Sequence, residues 1–116
     1  MSDIDPPSDA AGHRARLRDR LLASNGEGLQ DYELVEYLLA VAIPRIDTKP
    51  IANELLRRFG TLPKLLEASP DTLKTVKGLG DNSVAALKVA RAVALRMLRT
   101  ETTAKPVLAS WQALID

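Results

Sequence analysis

From Asn82 to Arg99 the chain holds neither glycine nor proline and is rich in Ala and Leu. Such a stretch has the residues that lose least on entering a helix and none of those that break the i→i−4 ladder. It predicts a long helix, against which the rest of the chain must pack. The core available for that packing is aliphatic: there are one Phe, one Trp and two Tyr in 116 residues, so Leu, Ala, Val and Ile must fill it. Side chains of this kind suit close helix–helix packing better than a β-sandwich. The expected fold is all-α, a compact bundle of five to six helices.

Apolar residues make up 46% and charged residues 27%, the balance of a chain that folds rather than one that stays disordered. Cysteine is absent, which excludes disulfides, thiolate metal sites and cysteine nucleophiles, and fits a reducing cytoplasm. The N-terminus has no basic stretch leading into an apolar one. No apolar run approaches the roughly 18–20 residues that span a bilayer.

Turn and cap signals divide the chain. Residues 1–11 are polar, contain Pro6 and Pro7 and lack periodicity, so they read as a flexible leader with order starting near Gly12. A first helix is expected from His13 to about Ser24, stopped by Asn25-Gly26. A second runs from Asp31, read as its N-cap, to Ala42, with Leu34, Val35, Leu38, Leu39 and Ala42 as its apolar stripe. Pro44 ends it. A third is capped by Asp47 or Thr48, carries Pro50 in its first turn, buries Ile51, Leu55 and Phe59, and stops at Gly60. A short helical piece follows from Thr61 to Ala68. Ser69-Pro70 then restarts the chain and directs Leu73 and Val76 inward. Thr100 to Lys105 breaks the pattern, and Trp111 and Leu114 are expected to pack back on the bundle. The domain reading is a leader (1–11), a helical domain (12–100), and a linker opening a further element (101–116).

The segment Leu73-x-x-Val76-x-Gly78-Leu79-Gly80-x-x-x-Val84-x-x-Leu87 fits a helix-hairpin-helix pattern. Two glycines permit a tight bend and let an anion approach bare peptide, Leu79 plugs the bend into the core, and the bend feeds a helix N-terminus whose unpaired N–H groups favour negative charge. The expected ligand is a DNA phosphate. The candidate contacts are Lys77, Gly78, Leu79, Gly80, Asn82, Ser83, Lys88 and Arg91. Lys88, Arg91, Arg96 and Arg99 fall within an arc of roughly 140° on the long helix. Net charge is only +1, but residues 57–99 hold nine bases against three acids, or +6, while residues 21–56 hold six acids against Arg45 and Lys49. Contacts of this kind grip phosphate without reading bases and weaken as salt rises. No aromatic residue near the bend offers a stacking platform. Asp81 counts against the reading, since its charge repels phosphate, although it also suits a helix start.

A faint repeat is visible. Leu34-x-x-Tyr37 leads through Ala42-Ile43-Pro44-Arg45 to the helix start at Thr48-Lys49-Pro50, much as Leu73-x-x-Val76 leads through the glycine bend to the long helix. The chain therefore reads as a pseudo-tandem helix-hairpin-helix pair of the RuvA C-terminal or SAM-like kind. The first, glycine-free half serves as the structural partner, with Arg45 and Lys49 as auxiliary phosphate contacts.

Gly12-His13-Arg14-x-Arg16-Leu17-Arg18, Asp31-x-Glu33-Leu34, Asp47-x-Lys49-Pro50, Phe59-Gly60 and Gly78-Leu79-Gly80, in that order, resemble the RadC-type, JAB-domain (UPF0758) family across about residues 12–115. The resemblance implies the N-terminal helical region of proteins associated with DNA repair, whose following MPN metalloprotease-like domain holds zinc through His, His and Asp. With one His and no H-x-H motif, this chain is expected to carry no such site, no cofactor and no catalytic residue. His13 has no second ligand at helical spacing, Tyr32 and Tyr37 read as core or rim, and the arginines around His13 as ion-paired or solvated. The alternative function is a protein-interaction or regulatory module for the MPN domain, in which the acidic 27–36 face is the docking surface. Neither a membrane nor a small-molecule substrate is expected as a partner.

Overall fold

The computed structural model of the protein describes residues 5–115, with side chains from Ala11 to Thr100. The described residues form six α-helices and no strand: α1 (Asp5–Ser24), α2 (Asp31–Ala42), α3 (Lys49–Phe59), α4 (Leu62–Glu67), α5 (Pro70–Leu73) and α6 (Asp81–Ile115). The all-α expectation holds, with six helices at the upper end of the range.

The core lies where α2, α3 and α4 meet the first half of α6. Val35, Leu39, Ile51, Leu55, Leu65, Leu73, Val76, Leu79, Val84 and Leu87 form one buried cluster. Each fully buried leucine contributes roughly 2–3 kcal/mol of transfer free energy. That sum is what holds helices as short as α4 and α5, which would not persist alone. Their ends are nevertheless specified locally. Thr61 and Ser69 cap them by accepting from the N–H of Lys64 and Thr72, and Pro63 and Pro70 occupy first turns where a missing N–H costs nothing. α1 packs across α2 with Leu17 inward, and stops where Asn25 adopts φ 55°.

Several boundaries differ from the sequence expectation. α1 begins at Asp5, not Gly12, because Pro6 and Pro7 fall in its first turn, where no backbone bond is forfeited. Asp31 is the first residue of α2 and not its cap: the cap is Gln30, whose N–H donates to Glu33 Oε1 at 2.9 Å. The cap of α3 is divided between the two candidates. Asp47 Oδ1 accepts from the Lys49 N–H at 3.2 Å, whereas the Thr48 hydroxyl, buried, donates back to the Glu36 carbonyl at 2.8 Å. In α2, Val35 and Leu39 are buried as expected, but Leu34, Leu38 and Ala42 are only half-buried.

The break expected at Thr100–Lys105 is not seen, and α6 continues to Ile115. Thr100 shows how threonine fits: its hydroxyl donates to the Arg96 carbonyl one turn back, at 3.0 Å, instead of competing for a non-helical backbone. At 35 residues α6 is about 52 Å long, most of the molecule's 69 Å length. From Ala92 to Thr100 every residue but Leu95 is exposed, so the helix leaves the core behind. The expected packing of Trp111 and Leu114 lies outside the described side chains.

Candidate nucleic-acid interface

The bend between α5 and α6 is built from the inside outward. Leu73, Val76 and Leu79 are buried, so every third residue anchors the connection to the core while Lys77, Gly78 and Gly80 stay exposed. Leu79 therefore positions the bend, and its N–H is spent on the Val76 carbonyl at 3.1 Å. The two glycines differ. Gly78 has φ 97°, and a Cβ there would stand 2.8 Å from Ile51 Cδ1, so no side chain fits. At Gly80 a Cβ would meet nothing within 4 Å and the backbone is not left-handed. The fold does not require that glycine. Its bareness matters only to something approaching from outside.

Backbone donors are left over at the same bend. Among the described residues, the N–H groups of Lys77 and Gly78 engage no protein acceptor. The first intrahelical bond of α6 runs from the Val84 N–H to the Gly80 carbonyl at 3.0 Å, which leaves the amides of residues 81–83 without an i−4 partner. The Gly80 amide is taken: it donates to Ser83 Oγ at 2.9 Å, and that hydroxyl donates to the Gly80 carbonyl at 3.1 Å. Ser83 is fully buried. Its side chain locks the helix start and cannot reach a phosphate, which corrects its placement among the contacts. Asn82 is exposed at the helix start, as expected.

Asp81 is paired. Its carboxylate lies 2.7 Å from Lys74 Nζ, and each charge favours the other: the bond to Lys74 holds the carboxyl below its ordinary range, and the bond to Asp81 holds the ammonium above its own. The ion pair offsets the repulsion that Asp81 alone would exert on an anion.

The basic arc of α6 does not survive as one surface. Lys88 turns toward α4, where its ammonium donates to the carbonyls of Leu66, at 2.9 Å, and Ala68. Burial, and then the neighbouring charge of Arg91, push its pKa down. It closes the end of α4 and is not a phosphate contact. Arg91 is half-buried with Nε out of solvent and lacking a hydrogen bond, and Arg96 stands out on the exposed overhang. Of the expected contacts, the structure gathers Lys77, Gly78, Gly80 and Asn82 at the bend with Leu79 as their anchor, commits Ser83 and Lys88 to contacts within the protein, and leaves Arg91 half-buried farther along α6.

The first half of the repeat lies close by. Ile51, in the first turn of α3, lies against the Gly78 position, so the start of α3 abuts the bend that precedes α6, with Arg45 and Lys49 exposed near it. Its peptide groups are better satisfied: Asp47 takes the Lys49 N–H and Pro50 has none. The acidic face of α2 is also occupied in part. Glu33, a buried residue, accepts two bonds from Arg20 at 2.9 and 3.0 Å, and Glu36 lies 2.8 Å from His13 Nε2. Two acids of the 27–36 face, Glu33 and Glu36, are thus engaged within the domain, while Glu27 and Asp31 stay exposed on it. Arg14 binds the carbonyls of Pro44 and Ile46, tying α1 to the first connection. Tyr32 and Tyr37 are half-buried rim residues. Among the described residues no group of three His, Cys, Asp or Glu is arranged to hold a metal ion, and no helix is long and apolar enough to cross a membrane.

Comparison with known proteins places this architecture. The family profile described as UPF0758 N-terminal matches residues 10–85. A UPF0758 protein of Rhodobacter capsulatus is 45% identical over 100 residues, covering 86% of this chain and 47% of the relative. One from Ruegeria pomeroyi is 42% identical over 110 residues, covering 95% and 49%, and one from Fusobacterium nucleatum is 47% identical over 81 residues, covering 70% and 35%. No solved structure matches. The chain spans about half the length, or less, of the curated relatives it matches. The match over most of the helical core, together with these identities, makes the chain a member of the UPF0758 family, to which the RadC-type proteins correspond, aligned with that family's N-terminal part.

Proposed function

We propose that this domain grips the phosphate backbone of nucleic acid, DNA in the first place, without reading its sequence, and does so as the N-terminal module of a longer RadC-type protein. One observation carries the reading: the unengaged N–H groups of Lys77 and Gly78 and the open first turn of α6 border Gly80, a glycine that nothing inside the protein demands. Amides fixed in this way bind an anion with little reorganisation. Lys77 supplies charge at the bend, and Arg45 and Lys49 supply it at the adjacent start of α3. No residue of the site performs chemistry. The zinc-dependent hydrolase chemistry implied by the resemblance falls to the part of the relatives outside the matched span, and the nucleic-acid role places the protein in the cytoplasm.

The test is a fluorescence-anisotropy titration of short labelled duplex and single-stranded DNA. Three cations predict a slope of log K against log salt of roughly −3 for duplex, and a Kd on the order of 10 μM at low salt. Lys77→Glu and Gly80→Val weaken binding by about tenfold each. Absence of binding at low ionic strength, or binding indifferent to salt, overturns the reading.

A further inference from the structure

A cleft of about 960 Å³ opens between α1, the second half of α2 and the connection to α3. Sites that hold small organic groups run to roughly 300–1,000 Å³, so this one seats a group of that size and not a double helix. One wall is apolar. Val41, 67% exposed, and Ile46, 46%, line it together with Tyr37 and Pro44. The wall is held in place by Arg14 of α1, whose guanidinium binds the carbonyls of Pro44 and Ile46.

Most charged groups around the cleft have partners. His13 Nε2 lies 2.8 Å from Glu36 Oε2, Arg18 lies 3.3 Å from Asp19, and Asp47 Oδ1 accepts from the Lys49 N–H. Among the described residues, the Arg45 guanidinium and the Lys49 ammonium have none. Asp47 is the one exposed acid of the lining, and Arg14, bound to carbonyls that orient it without neutralising it, offsets that charge. One acceptor is also unmet: Glu36 Oε1 is out of solvent and makes no hydrogen bond. The cleft thus joins a hydrophobic wall, two unpaired cations toward α3 and a carboxylate oxygen lacking a donor.

We infer that the cleft receives an unpaired nucleotide of the strand held at the bend, its base against Val41 and Ile46 and its phosphate on Arg45 and Lys49. The inference rests on backbone binding at the bend and adds a preference for DNA with a single-stranded end. Continuity favours this occupant, because Lys49 lies two residues before Ile51, which abuts the Gly78 position. Every base carries an N–H on its pairing edge. A duplex uses that edge up, whereas an unpaired base brings it free to a site holding an unmet acceptor. The apolar wall takes any base face, so unpaired structure is preferred and sequence is not. A free inorganic anion would use the two cations and leave both the wall and Glu36 unanswered.

The test compares labelled duplexes by fluorescence anisotropy at low salt: blunt, with a two-thymine overhang of 5′ or 3′ polarity, and with the same overhangs made abasic. At least one thymine overhang binds about fivefold tighter than its abasic counterpart and than the blunt duplex. The double variant Val41→Ser/Ile46→Ser brings that overhang down to the affinity of the blunt duplex. Both sites are exposed, so circular dichroism and the urea midpoint report an unchanged fold. Lys77→Glu weakens every DNA by the same factor. An acetylated leucyl-isoleucine with a free carboxylate, which offers apolar and anionic groups without a base, does not remove the thymine advantage. Equal binding of thymine and abasic overhangs, an advantage that persists in the double variant, or its removal by the peptide overturns the inference while leaving the bend in place. Failure of every DNA to bind overturns both.

Discussion

A Cβ at Gly78 would press on Ile51 with the backbone at φ 97°, whereas at Gly80 it would enter open space. Gly78→Ala is therefore expected to destabilise by about 2 kcal/mol, combining the left-handed strain with the clash. Gly80→Ala should leave stability within about 0.5 kcal/mol. Urea midpoints of the two variants check this, and equal losses would contradict it. The two glycines were legible in the sequence, but their different reasons were not, since one depends on Ile51, far away along the chain. Ser83 illustrates the same limit. Three residues after Gly80 it reads equally well as a phosphate donor or as a cap, and only its complete burial decides for the cap.

Glu33 carries a pH signature at this scale. Its bonds to Arg20, and then to the Gln30 N–H, hold its carboxyl below the ordinary value of 4.5. A carboxyl depressed in the fold stabilises it above the unfolded pKa, and that contribution disappears as pH falls through the lower folded value. The urea midpoint of the wild type should thus decline more steeply from pH 5 toward pH 3 than that of Glu33→Gln. Parallel declines would remove Glu33 from the account.

At the scale of elements, periodicity and caps located all six helices, because leucine spacing, Ser or Thr caps and first-turn prolines act locally. The fate of the cations on α6 could not be read that way. Lys88 faces the end of α4 only once both helices share the Leu65–Leu87 core, and the sequence gives no sign that Leu66 and Ala68 leave carbonyls there. Lys88→Met keeps the aliphatic stem but removes both bonds. It should cost about 1–2 kcal/mol in urea unfolding and change duplex affinity less than about twofold. A large loss of DNA binding with stability intact would return Lys88 to the interface.

Over the whole molecule, the start of α3 and the bend before α6 lie together but differ in character. The start of α3 is closed by Asp47 and Pro50, while the bend before α6 keeps open peptide beside Lys77 and a charge-balanced Lys74–Asp81 pair. The net charge of +1 conceals this, because acids such as Glu33 and Glu36 are buried against α1. The sequence displayed the asymmetry of charge without showing which charges were occupied. The most direct measurement is a ¹H–¹⁵N correlation spectrum recorded while short duplex DNA is added at low salt. The amide signals of Lys77 to Ser83 should move first and furthest, with Arg45 to Ile51 following. Shifts centred on Val89 to Met97 or on α2, with the bend unmoved, would contradict the assignment of this site.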